Sequence, residues 1–128
     1  MRKVGVLFVA LGILFFAVGP ALAQQPSITI LAPKAGEAIT GDKVTVRLKI
    51  ENFRLADFDS ERDTVGQTMG HLHISLDTQP WNVVQAISPV YTFTGLKPGK
   101  QTVTVELFRT DHQPLQKKVV KTVTFDVK

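Results

Sequence analysis

The chain has no cysteine among its 128 residues, and that single absence removes disulfide staples, thiol redox chemistry and thiolate metal ligation together. It has no Lys/Arg run longer than Lys117-Lys118 outside its first residues, and no aromatic side chains interleaved with that pair, so a nucleic-acid surface is not expected. No repeat is visible, and beyond the first 23 residues no segment has a helical period of useful length. Trp81 is the only tryptophan, and a lone tryptophan is expected to supply buried area as a core-capping residue.

What is present begins with a charged and apolar leader. Met1-Arg2-Lys3 precedes an apolar run from Val4 to Val18, and Gly19-Pro20-Ala21-Leu22-Ala23 places small residues at the two positions an export peptidase reads. This order predicts a signal peptide over residues 1–23, and hence a periplasmic or secreted domain over residues 24–128. An uncleaved anchor is the alternative, because the run is only a little short of the roughly 18 apolar residues a spanning helix needs. Gly19-Pro20 interrupts the helix just before the cleavage site, which favours removal and no stable membrane insertion afterwards. With Arg2 and Lys3 gone, 13 basic residues face 11 acidic ones, a balance of +2. About a hundred residues suffice for one domain with one core.

The remaining chain alternates with a period of two. Ser27-Ile28-Thr29-Ile30 leads into Pro33 and Gly36, which mark a bend in an edge strand. Val44-Thr45-Val46-Arg47-Leu48-Lys49-Ile50-Glu51 alternates strictly and predicts a strand with one wet face. From Asn52 to Met69 alternation stops, and Asp57, Asp59, Glu61 and Asp63 indicate a long surface loop. Further strands are expected over His71–Leu76, Val90–Thr94, Thr102–Phe108 and Lys118–Val127, the last of them at an edge, with turns at Asp77–Pro80, Gly95–Gly99 and Thr110–Pro114. About seven short strands predict an all-β, immunoglobulin-like antiparallel sandwich.

The stretch Met69-Gly70-His71-Leu72-His73-Ile74-Ser75-Leu76-Asp77 carries the chemistry. At period two, Leu72, Ile74 and Leu76 share the core face, and Met69, His71, His73 and Ser75 the solvated one. In a sandwich of this type the start of this strand lies beside the end of Thr102–Phe108, which brings Met69 and His71 near the turn holding His112. Two imidazoles two residues apart on a strand are about 7 Å apart at Cα and can reach one ion. Imidazole with thioether suits copper, and imidazole with carboxylate suits zinc. The candidate ligands are therefore His71, His73, His112 and Met69. The acidic residues lack the glycine and terminal Glu of a calcium loop. The plain alternative is that His71 and His73 are exposed cross-strand partners.

The pattern Ile30-x-x-Pro33-x-x-Gly36, together with Gly70-His71-Leu72-His73 and Gly95-Leu96-Lys97-Pro98-Gly99, resembles a group of small exported bacterial immunoglobulin-like domains of unknown function. The resemblance implies an all-β exported fold and no established activity. Copper/zinc superoxide dismutases and cupins share only the His-x-His pair. The first also need a disulfide, and the second a glycine where Val65 stands. The sequence thus predicts an exported, non-enzymatic binding domain, with copper or zinc as its sharpest ligand. The alternative is a metal-free structural or protein-interaction domain that docks an envelope protein. No Gly-x-Ser-x-Gly elbow or apolar carboxylate pair argues for an enzyme.

Overall fold

The computed structural model describes residues 19, 24–56 and 66–128. The expected signal peptide, apart from Gly19, and the acidic residues Asp57, Asp59, Glu61 and Asp63 lie outside the described residues. Among the described residues no helix is long and apolar enough to cross a membrane.

Among the described residues nine strands follow one another: β1 (Ser27–Ala32), β2 (Ala38–Ile39), β3 (Val44–Glu51), β4 (Arg54–Leu55), β5 (Met69–Leu76), β6 (Val84–Ala86), β7 (Val90–Phe93), β8 (Gly99–Arg109) and β9 (Val120–Val127). They form two sheets. One has the order β1-β3-β7, and the other β2-β9-β8-β5-β4, with β6 also paired to β5. The expected sandwich is therefore present among the described residues. Two departures from a purely antiparallel arrangement are the two-residue strands β2 and β4, which run parallel to β9 and β5. Each is too short to leave a periodic signal in sequence. Because β2 pairs with its last two residues, β9 lies between β2 and β8 rather than at the open edge the sequence predicts.

The alternation in β3 works as expected: Val44, Val46 and Leu48 are buried while Arg47 and Lys49 are exposed. They meet Leu72, Ile74 and Leu76 of β5, Val103, Val105 and Leu107 of β8, and Phe125 of β9 in one core. Burying each such side chain fully contributes roughly 1.5–3 kcal/mol, which makes this shared face the main source of stability. At β1 the bend anticipated from Pro33 and Gly36 is built with a cis Ala32–Pro33 bond and a left-handed Gly36 at φ 74°. β1 is one edge of the smaller sheet.

The β5–β8 ladder positions the histidines. Its register sets Gly70 opposite Arg109, His71 opposite Phe108, Leu72 opposite Leu107 and His73 opposite Glu106. Directly opposed residues share a face, so His71, His73, Phe108 and Glu106 lie on the side away from the core. Gly70 has a specific task here. A Cβ at this position would overlap the Phe108 carbonyl oxygen and stand 2.8 Å from its carbon and 2.9 Å from Arg109 Cα. All three are backbone atoms, so only glycine lets the two strands approach this closely.

Candidate metal centre

His71 and His73 project from β5 two residues apart, and His112 reaches them from the turn after β8. That turn is held by backbone bonds from Arg109 N to the Gln113 carbonyl (2.8 Å) and from His112 N to the Arg109 carbonyl (3.1 Å). Asp111 closes it from the side, accepting from Arg109 Nε at 3.0 Å and from Gln113 N at 3.3 Å, with a second contact from Arg109 Nη2. His112 takes a left-handed conformation at φ 60°, which His adopts more readily than most residues. Pro114 then bridges back to Phe108.

The three rings form a compact set. Ring centroids are 5.0 Å apart for His71–His73 and 4.8 Å for His71–His112. Nitrogen atoms from all three residues lie within 4.8 Å of one another. The Nε2 atoms of His71 and His73 are 3.1 Å apart, a hydrogen bond in which one ring's N–H donates to the other's lone pair. Phe108 stacks on His73 with centroids 3.7 Å apart and planes tilted by 13°. The stacking fixes the imidazole plane on one side.

This packing departs from the expected wet strand face. His71 is 0% exposed and His73 half-buried, while His112 stays open to solvent. The reason is local: Phe108 and His112 of the 109–114 turn pack against His71 at the start of β5. Burial lowers the His71 pKa from 6.5 to about 4, with added repulsion from His73 and His112. Burial also lowers the His73 pKa, again with a contribution from His112. His71 and His73 are therefore held neutral at pH 7, the form in which an imidazole offers a lone pair.

Met69 lies two residues before His71 and is buried, and its Sδ accepts a hydrogen bond from Arg54 Nη2 at 2.6 Å. Arg54 stands beside it because β4 pairs Arg54 with Met69. The structure thus brings His71, His73 and His112 together and engages the Met69 thioether with a guanidinium. Sequence reasoning missed Phe108 and Arg54. Phe108 left a signal, since it follows Leu107 directly and breaks the alternation of β8 by placing an aromatic ring in the polar phase.

Trp81 contradicts the expectation of a core-capping residue, since it is 79% exposed. It lies in the connection between β5 and β6, outside both sheets, and is no part of the core cluster.

Residues 16–128 match the model of a family described as a family of unknown function, DUF6130, and the chain belongs to that family. No curated protein matches the sequence significantly. Among solved structures the chain is similar to an engineered protein, with 11% identity and a TM-score of 0.55 over 83% of this chain and 21% of that one. It is also similar to fibronectin(III)-like modules of CbhA from Clostridium thermocellum, with 15% identity and a TM-score of 0.47 over 81% of this chain and 47% of that one. A third likeness is to the extracellular domain of a one-component system from B. thetaiotaomicron, with 8% identity and a TM-score of 0.43 over 81% and 15%. The chain thus spans about a fifth of the length of the engineered protein, and that likeness concerns the fold alone.

Proposed function

We propose that this domain binds one first-row transition metal ion, zinc or copper, through His71, His73 and His112. The supporting observation is the convergence of ligand nitrogens of three imidazoles, from β5 and from the turn after β8, within 4.8 Å of one another. With metal–nitrogen bonds of about 2.0–2.1 Å, tetrahedral ligands stand about 3.3–3.4 Å apart, and ligands at right angles about 2.9 Å. The His71–His73 separation of 3.1 Å falls between the two. Only one ring need change tautomer, moving its proton to Nδ1, for both Nε2 atoms to face a cation. His112, exposed and on a turn, supplies the adjustment that the third distance requires.

Three imidazole donors suit zinc and copper(II) better than calcium or magnesium, which take oxygen donors. Met69 joins the set only if Arg54 releases its sulfur. The role we assign is binding rather than catalysis, because among the described residues the cluster consists of imidazoles alone. The leader sequence supports a periplasmic or secreted site of action. If the cluster holds no metal, its hydrogen bond and its stack on Phe108 make it a small structural core, and the domain is then an envelope interaction module. A melting curve of tag-free protein separates the two readings. A ligand that binds only the native state at 100 times its Kd adds about 2.7 kcal/mol. Zinc or copper should therefore raise Tm in the parent and raise it less in His112→Ala, and an unmoved Tm in the parent would reject the metal reading.

A further inference from the structure

The exposed Trp81 sits at the opposite end of the sandwich from the histidines, where β5 has ended and β8 begins. An indole carries roughly 150–250 Å² of buriable surface, so leaving it in water forgoes a large gain. The two segments around it are tied into a fixed wall. Gln101, 1% exposed, accepts from Thr78 Oγ1 at 2.9 Å and donates from Nε2 to the Lys97 carbonyl at 2.6 Å. Gln79 Nε2 donates to the Thr94 carbonyl at 2.8 Å, and the Thr102 amide donates to Asp77 Oδ1 at 2.9 Å. Between the segments opens a groove of about 300 Å³, with Trp81 and Pro98 as its apolar surface and Lys97 and Lys100 as its charges. No carboxylate is among its lining residues.

The geometry points to a binding site for an oligosaccharide containing uronic acid. A flat indole presents a face to the C–H side of a sugar ring, the one kind of apolar surface such a polar ligand has. Lys97 and Lys100, with no acid beside them in the groove, supply the complement to the uronate carboxylate. The Thr78 hydroxyl, which donates to Gln101, keeps acceptor capacity for a ring hydroxyl. Hydroxyl, amide and ammonium groups of Thr78, Gln79, Lys97, Lys100 and Gln101 line the groove beside its apolar surface, unlike the mostly apolar clefts that hold drug-like aromatic acids. It owes nothing to the histidine cluster, so a metal-free protein should bind as well as a loaded one.

Because Trp81 is the only tryptophan, its emission reports this groove alone. Full-length protein in EDTA would be titrated with trigalacturonate, trimannuronate, neutral maltotriose and phosphatidylglycerol vesicles. The expected result is a saturable change with at least one uronate trimer, weakened tenfold or more in the Lys97→Ala/Lys100→Ala variant and reduced by salt. Calorimetry of Trp81→Leu should show binding lost with Tm unchanged, since the side chain packs against little. No response to either uronate up to about 10 mM, equal binding of maltotriose, or a response to the vesicles alone would overturn the assignment.

Discussion

Acid should destabilise the metal-free protein as pH falls below about 6.5, and His71 is the cause. Its imidazole has a pKa of 6.5 when exposed and about 4 in the fold, where burial and two neighbouring histidines oppose the charged form. The unfolded chain therefore takes up the proton first. The contribution of a neutral His71 is complete above about pH 6.5 and is lost as pH falls toward the folded value. With one pKa unit equal to about 1.4 kcal/mol, stability declines by about 2 kcal/mol near pH 5 and about 3 kcal/mol near pH 4. His73, also shifted downward by burial, adds to the loss in the same direction. For a domain of about a hundred residues, a loss of 2 kcal/mol lowers Tm on the order of 10 °C. Calorimetric melting in EDTA between about pH 7.5 and 5 measures this, and NMR titration of the His71 ring locates the group. A flat Tm across that window, or a His71 ring that titrates near 6.5, would refute the reasoning.

Other expectations follow from the same contacts. Gly70→Ala pushes a methyl group into the Phe108 and Arg109 backbone and should cost about 1–3 kcal/mol or more by chemical denaturation. Phe108→Ala removes the ring stacked on His73 and exposes His71, so the His71 pKa measured by NMR should rise toward 6.5. Ile74→Ala empties a fully buried core position and should cost about 2–5 kcal/mol in urea unfolding. His112→Ala, at an exposed turn, should alter stability by less than about 1 kcal/mol without metal and weaken zinc binding at least tenfold in calorimetry.

Much of this architecture was legible in the alternation. Val44–Glu51 and His71–Leu76 show the period-two pattern because each has one face on a common core, and the neighbouring of β5 and β8 follows from sandwich topology. That topology also brought His112 near His71 from sequence alone. The solvent exposure of the histidine face was misjudged because periodicity reports which residues share a side, and says nothing about what a later turn lays over it. Phe108 and the 109–114 turn are that cover. Trp81 was misjudged because residue type alone does not place a side chain: it falls in the connection between β5 and β6, outside both sheets, and stands on the surface. The partnership of Arg54 with Met69 depends on β4, a two-residue parallel strand without any sequence period.

Isothermal calorimetry of tag-free, EDTA-stripped protein with zinc and copper(II), run beside the His73→Ala/His112→Ala variant, tests the three-histidine centre most directly. One ion per chain in the parent and no binding heat in the folded variant is the predicted outcome. The absence of heat for both ions in a folded parent, or undiminished binding in the variant, would contradict it.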